Sequence, residues 1–234
     1  MRRQPLTAIR ALSRLIRNPE ETAEVFVIMR SLSGDALERG NKRFAATKVG
    51  RALIESQRDI LPVLADRAAL ARMPEGSLGR AYLALVERAG ISADGLVMAS
   101  EESGTQYATL TPSQAFYARR LRDTHDLWHT VTGYGTDPFG EVCVVAFSYA
   151  QTGNLGFAAI ATIGALKIAR ECGDVRVLRA VWRAYRDGRR AAWLPAIEWE
   201  RQLAMPLAEV RRTLGNVAPT RYEALHAVFT PAPA

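Results

Sequence analysis

Apolar residues recur every third or fourth position along most of this chain, whereas stretches that alternate apolar and polar residues are scarce. The first spacing is the period of an amphipathic α-helix, and the second would be that of a β-strand. Capping residues and glycines divide the pattern into segments. We therefore predict an all-α protein, a single irregular multi-helix bundle domain, with helices over residues 18–32, 45–54, 61–70, 77–90, 111–132, 141–153, 154–170, 174–188, 191–205 and 206–215.

Two of these predicted helices have features of their own. Residues 111–132 begin with Thr111 and Pro112, a capping residue followed by a favoured first helical residue. The pattern predicts one long helix there, ending before Gly133. Residues 154–170 are apolar on almost every side, which is typical of a helix enclosed by others. We expect this second helix to be central and buried.

Residues 1–17 differ in character from residues 18–230, which we predict to be the helical domain. A helix drawn through this segment carries arginines on most sides and groups its large apolar residues on one side: Leu6, Ile9, Leu12, Leu15 and Ile16. A helix that lies on anionic lipid has this pattern. Targeting peptides and disordered tails share the composition, so the pattern leaves all three interpretations open.

The net charge of +7 comes almost wholly from arginine and is spread along the chain. It favours an anionic surface or an anionic substrate. Nucleic acid is not the expected partner, because basic residues do not alternate with aromatic ones and no helix-turn-helix spacing is present. No apolar run reaches the roughly 18 residues that cross a bilayer. The residues alone predict a protein that is soluble or lies on a membrane, and our expected location is cytoplasmic, peripherally associated with the inner face of the cell membrane.

Cysteine is present only as Cys143 and Cys172, both inside apolar helical patterns. Neither a disulfide framework nor a CxxC zinc ribbon is indicated by this spacing. The composition fits the reducing interior of a cell.

The segment HDLWH, residues 125–129, carries two of the three histidines of the chain. Residues four apart on a helix differ by about 40° in direction, so His125 and His129 project from one face and can share one ion. Asp126 lies within reach of the same place. Glu141 follows the glycine-rich turn TGYGTDPFG, at the predicted start of the next helix. These four residues are the predicted metal ligands and the candidate catalytic groups.

The ligand types suit more than one metal. Two imidazoles with one or two carboxylates fit Zn²⁺, our first candidate, and also Fe²⁺ or Mn²⁺. If Asp126 binds the ion with the other three residues, the site can be structural. If Asp126 instead orients a histidine, a position stays open for substrate. The HxxxH spacing alone also occurs by chance in helical proteins.

The wider sequence resembles a known family. HDLWH with Glu141 eleven residues after His129 is similar to the HDxxH(x11)E signature of the ubiquinone (coenzyme Q) biosynthesis protein 4 family. MPEGSLGRAY upstream, and AYRDGRRA with PLAEVRRTLG downstream, also resemble segments of that family. The resemblance extends over residues 18–215.

This resemblance implies an all-helical, membrane-peripheral protein that binds a divalent metal through His125, Asp126, His129 and Glu141. It implies a carboxy-lyase that removes the carboxylate at ring carbon 1 of a prenylated 4-hydroxybenzoate, with or without oxidative hydroxylation of the ring. The alternative is a non-catalytic, prenyl-lipid-binding scaffold that organises the other ubiquinone biosynthesis proteins. The same motif is compatible with both the lyase and the scaffold, so the sequence does not distinguish between them.

Other residues near the motif and on the surface support weaker expectations. Arg122, next to the motif, is a candidate for pairing with a substrate carboxylate, and Tyr134 in the turn is a candidate lining residue. We interpret His226 as a surface histidine remote from the motif. An exposed apolar helix face would favour either a membrane contact or a homodimer.

Overall fold

The computed structural model describes residues 3–18, 22–91, 98, 107–215 and 219–229. In these ranges every element of regular structure is helical, as predicted, and Ser77 and Pro206 form one isolated bridge. The α-helices, in chain order, are α1 (Pro5–Arg17), α2 (Thr22–Leu32), α3 (Ala36–Ala46), α4 (Lys48–Ser56), α5 (Leu61–Ala65), α6 (Arg67–Ala71), α7 (Leu78–Ala89), α8 (Pro112–Asp123), α9 (His125–Thr132), α10 (Pro138–Thr152), α11 (Leu155–Glu171), α12 (Arg176–Arg190), α13 (Trp199–Gln202), α14 (Leu207–Thr213) and α15 (Thr220–Phe229).

The central helix is α10. It packs most extensively against α11 and α12, and two thirds of its residues are buried. The expectation that residues 154–170 form the buried helix is wrong. Only Gly156, Ile160, Ala161 and Ala165 of α11 are buried, while Leu166 is 54% exposed. Some of the apolar residues of α11 therefore lie on an outer surface that is exposed to solvent.

Three clusters of buried side chains form the core. The first surrounds α10, α11 and α12, and the second joins α7, α9, α13 and α14. The third lies between α8 and the α3–α4 pair. Helix α10 contributes to the first two, because its Phe147 belongs to the second cluster while its neighbours belong to the first. The chain between α9 and α10 therefore lies where the two largest clusters meet.

The predicted single helix over residues 111–132 is interrupted at Thr124. The Thr124 hydroxyl donates to the Arg120 carbonyl at 2.8 Å, and the backbone at Thr124 has φ −93° and ψ 2°. Threonine side chains that bond to the carbonyl four residues earlier bend helices. The motif HDLWH consequently occupies its own short helix, α9, rather than the end of a long one.

Other predicted boundaries are also wrong, for identifiable reasons. Helix α3 was missed because it is polar and buries only Ala36, Gly40 and Phe44. The predicted helix over residues 191–205 is replaced by a 3-10 turn, Leu194–Ala196, and the short α13. Gln151 of α10 holds this segment, since its side-chain oxygen accepts the Leu194 N–H at 2.8 Å. A tertiary contact thus takes the place of helical hydrogen bonds.

Helix α1 packs on α2. Ala8 and Ala11 are buried in this contact, and Arg14 forms two hydrogen bonds with Glu24 of α2, at 2.5 and 2.8 Å. Leu6 and Ile9 remain 72% and 62% exposed. The apolar side of the segment is therefore divided between a packed face and an outward one. Within the described residues, no helix has the length and apolar character needed to cross a membrane.

Candidate metal centre

Helices α9 and α10 bring three of the four predicted ligands together. His125 and His129 lie one turn apart on α9, with ring centroids 4.8 Å apart, and Glu141 lies in the first turn of α10. One ligand atom from each residue lies within 4.8 Å of the other two. Side chains from two packed helices therefore converge on one place, as the motif spacing predicts.

The two ring nitrogens of His129 have different surroundings. Nδ1 lies 3.1 Å from the carbonyl oxygens of both Tyr134 and Gly135, so it donates its hydrogen to the turn. Nε2 is completely buried and has no hydrogen-bond partner among the described residues. It lies 3.3 Å from Oε1 of Glu141. Because Nδ1 carries the proton in the neutral ring, the lone pair of Nε2 points into the cluster.

Charge couples His129 to Glu141. Burial opposes protonation of His129, but the Glu141 carboxylate, with help from Asp126, outweighs burial and raises the His129 pKa to about 8. Burial likewise disfavours the Glu141 carboxylate, yet the neighbouring His129 leaves its pKa below the ordinary value. Without a metal, the two groups therefore form an ion pair at neutral pH.

Asp126 lies beside the cluster. It is buried, and its Oδ1 lies 3.3 Å from Nδ1 of His125. The group of atoms that can share one ion consists of His125, His129 and Glu141. A carboxylate beside the second nitrogen of a ligand histidine is the usual arrangement for orienting the ring. The geometry thus suits the orienting role for Asp126, and its place as a ligand stays a prediction.

The turn between α9 and α10 is folded by close backbone contacts. The N-cap residue Asp137 accepts the N–H groups of Phe139 and Gly140, both at 3.1 Å, so α10 begins at Pro138, earlier than predicted. Gly140 packs directly on the turn, because a Cβ added there would lie 2.1 Å from the Gly135 carbonyl oxygen. That oxygen is one of the two acceptors of the His129 proton.

The two weaker candidate residues lie close to the motif. Arg122 is largely buried and is bound by Asp123 at 2.7 Å, with its guanidinium also over the Tyr107 ring. Tyr134 is 4% exposed and contacts His129 through its carbonyl. Burial raises the pKa of its hydroxyl above the ordinary value. Substrate binding by either residue stays a prediction.

Three residues that support the site carry no signal in the sequence. Arg211 of α14 donates to the Thr130 and Val131 carbonyls and so caps α9. Tyr222 and His226 of α15 both contact Asp137 of the turn. The interpretation of His226 as remote from the motif is therefore wrong. A helix that follows more than 80 residues later carries no local signal for such a contact.

A family model described as "Coenzyme Q (ubiquinone) biosynthesis protein Coq4" matches residues 1–219. The chain belongs to the Coq4 family. This match confirms the resemblance inferred from the motif and its flanking segments, and it extends that resemblance to the amino-terminal residues.

Curated relatives of this Coq4-family chain carry the same description. The human mitochondrial ubiquinone biosynthesis protein COQ4 homologue is 29% identical over 170 residues, which are 73% of this chain and 62% of the human protein. The zebrafish homologue is 31% identical, over 71% of this chain and 59% of its own length. The mitochondrial COQ4 of Coprinopsis cinerea is 25% identical, over 86% and 66%. The chain thus spans about 60% of the length of the first two relatives.

A solved structure has the same fold. The crystal structure of a candidate ubiquinone biosynthesis protein from Nostoc punctiforme superposes with a TM-score of 0.65, covering 91% of this Coq4-family chain and 98% of the other. The two sequences are 22% identical. At that identity the superposition establishes the helical architecture and nothing about the reaction.

We predict a pH-dependent stability for the metal-free protein. The His129 pKa of about 8 exceeds the unfolded value of 6.5, so the ion pair stabilises the fold fully below pH 6.5 and its contribution is lost as pH rises through 8. The total is on the order of 2 kcal/mol. Urea denaturation with chelator present, at about pH 6 and about pH 9, measures it.

The matched control for this prediction is Glu141→Gln. Without the carboxylate, only Asp126 and the Tyr134 carbonyl still oppose the effect of burial, so the His129 pKa should fall and the loss of stability between pH 6 and pH 9 should shrink. Comparing the two proteins cancels the titration of the other histidines. The same pH dependence in both proteins would contradict the pairing of His129 with Glu141.

We predict that Gly140→Ala weakens metal binding. The new methyl group must displace the Gly135 carbonyl, which orients His129, and should also cost about 1 to 3 kcal/mol of stability. Gly188→Ala is the control, because its Cβ would lie 2.7 Å from the Phe147 carbonyl oxygen, about two turns further along α10 from Glu141. It should lose stability and retain metal affinity. Competition with a chromophoric chelator measures affinity, and equal affinity in both variants would refute the prediction.

Proposed function

We propose that this Coq4-family chain is a metal-dependent carboxy-lyase. Its substrate is a 4-hydroxybenzoate with a prenyl tail, and the bond that breaks joins ring carbon 1 to the carboxylate. One observation carries the proposal: His129 presents a buried nitrogen, without a hydrogen-bond partner among the described residues, to Glu141 and His125. The family match supports a role in ubiquinone biosynthesis, and decarboxylation as the reaction class rests on the resemblance of the HDLWH–Glu141 motif to that family.

The donor set fits a divalent ion. Ligands about 2 Å from a tetrahedral zinc ion lie about 3.3 Å from one another. Nε2 of His129 lies 3.3 Å from Oε1 of Glu141, and the set of three ligand atoms lies within 4.8 Å, so small side-chain movements would complete the site. In the neutral ring this buried nitrogen has no hydrogen to accept among the described residues, and Glu141 satisfies it only when His129 is protonated, so a bound ion would remove an energetic cost. Three protein ligands leave a position for substrate, as catalytic sites require. Zn²⁺ is the first candidate, and Fe²⁺ or Mn²⁺ accepts the same ligands.

When bound, the ion supplies Lewis-acid polarisation of the substrate carboxylate. The protein's own groups provide the rest. Glu141 is 42% exposed and His125 is 23% exposed, so the open side of the cluster lies between them. Substrate enters from that side. Carbon dioxide leaves as a proton from solvent takes its place on ring carbon 1, and the phenol oxygen donates electron density to the ring.

The decisive experiment is a decarboxylation assay with a short-tailed substrate analogue. His129→Ala should lose both bound metal and carbon dioxide release, because it removes the most deeply buried ligand. Glu141→Gln should also lose both while changing little in volume. Glu55→Gln, which changes an exposed glutamate of α4, is the control and should retain both.

Assays with and without oxygen separate the remaining alternatives. Metal-dependent release of carbon dioxide in both conditions supports a simple lyase, and release only with oxygen, together with a hydroxylated product, supports the oxidative form. Binding of the analogue without turnover in either condition would refute the lyase. That result would favour the scaffold, with the metal as a structural clip between α9 and α10.

We also propose that α1 holds the protein on the inner face of the cell membrane. Leu6, Ile9 and Ile16 project from α1, and an open groove of about 530 Å³ lies where Ile16 meets Leu166 of α11. Arg10 and Arg17 are exposed residues of α1, and the basic Lys167 and Arg170 line the groove together with one acidic residue, Glu171. Apolar side chains with a basic border suit the interface of an anionic bilayer. There the protein meets its prenylated substrate and the other ubiquinone biosynthesis proteins.

The double variant Leu6→Ser/Ile9→Ser should weaken sedimentation with anionic vesicles about tenfold or more, because each exposed side chain contributes about 1.5 kcal/mol when buried in lipid. Val228→Ser, at an exposed apolar residue of α15, should bind vesicles as the unchanged protein does. Light scattering of the same proteins separates a membrane contact from a homodimer. A double variant that becomes monomeric but keeps its vesicle binding would assign this surface to the homodimer.

A further inference from the structure

A chain of hydrogen bonds runs from the metal centre to α15. Nδ1 of His129 donates to the Gly135 carbonyl at 3.1 Å, and the N–H of Gly135 donates to the Tyr222 hydroxyl at 3.0 Å. The Tyr222 hydroxyl donates in turn to Oδ2 of Asp137 at 2.5 Å. At the end of these hydrogen bonds nearest to solvent, Nε2 of His226 lies 3.3 Å from the same oxygen. The two sides of Gly135 are therefore bound by different residues.

Gly135 needs such restraint. A glycine peptide explores more backbone conformations than any other residue, and the direction of its carbonyl varies with them. A residue with a side chain would not fit at this position, because a Cβ at Gly135 would lie 2.5 Å from both the Tyr222 hydroxyl and Oδ2 of Asp137. The close approach of Tyr222 thus requires glycine, and it supplies the restraint that glycine lacks.

Packing holds the Tyr222 ring in place. Its ring lies edge-on to Tyr134, with centroids 5.5 Å apart, and 5.1 Å from that of Phe139. Tyr222 and Leu225 are buried in the first core cluster, and α15 packs on α12. The hydroxyl therefore has a fixed position, set by aromatic contacts on both sides of the turn.

We propose that Tyr222 is a positioning residue for His129. By binding the Gly135 N–H it orients the Tyr134–Gly135 peptide plane, whose Tyr134 carbonyl accepts the Nδ1 hydrogen at 3.1 Å, so that Nε2 faces the candidate metal site. Groups that bond the second nitrogen of a ligand histidine fix its ring and its tautomer. This inference rests on the proposed metal site. The family match ends at residue 219, so it assigns nothing to Tyr222.

The test is the Co²⁺ affinity of Tyr222→Phe, with Co²⁺ as a coloured probe of the site. The variant keeps the ring that packs on Tyr134 and Phe139 and removes only the hydroxyl. We expect binding about tenfold weaker or more, as for other groups that support a ligand, with an altered visible spectrum of the bound ion. Tyr185→Phe is the matched control, because it removes a tyrosine hydroxyl from α12, where the ring stacks on Tyr149.

Melting curves of the metal-free proteins separate positioning from simple stability. Weaker Co²⁺ binding in Tyr222→Phe alone supports the proposal. Unchanged affinity overturns it, whether or not the melting temperature falls, and so does equal weakening in Tyr185→Phe. If the unchanged protein binds no Co²⁺, the metal site and this inference both fall. If that protein binds Co²⁺ and Tyr222→Phe binds it equally, only this inference does.

Discussion

The hydrogen bond from Nδ1 of His129 to the turn between α9 and α10 is the interaction on which the site depends. It fixes the tautomer of a completely buried imidazole and leaves Nε2 facing Glu141. The acceptors are the backbone carbonyls of Tyr134 and Gly135, so the orientation of His129 depends on the backbone conformation of the turn. The close packing of Gly140 on Gly135 follows from the same requirement.

Two further features make this arrangement stable. Asp137 caps α10, and Glu141 lies in the first turn of that helix, where the dipole favours a carboxylate. Helix α9 is packed into the second core cluster, and α10 is shared by the first and the second. The candidate ligands are therefore attached to packed helices on both sides, and the ion pair with Glu141 compensates part of the cost of burying His129.

The chain belongs to the Coq4 family, whose model is described as a coenzyme Q (ubiquinone) biosynthesis protein. The cluster combines a buried nitrogen suited to a metal ion with a more exposed side between Glu141 and His125, and this arrangement supports the proposal of a metal-dependent enzyme. The outward face of α1 suits a substrate with a prenyl tail, since such a molecule resides in or near lipid. The catalytic proposal therefore rests on the cluster of His125, His129 and Glu141, and the membrane proposal rests on the outward face of α1.

The sequence by itself determined the helical class, the family and the placement of His125, His129 and Glu141, because helical periodicity and a four-residue spacing are local properties. It did not determine that α8 and α9 are separate, because one threonine hydroxyl decides that. It also misjudged which apolar helix is central, since apolar composition does not distinguish an enclosed helix from one with an exposed apolar side. Tyr222, His226 and Arg211 reach the site from helices 80 or more residues away. Only tertiary packing brings such residues together, and so only the folded structure decided how the metal centre is held.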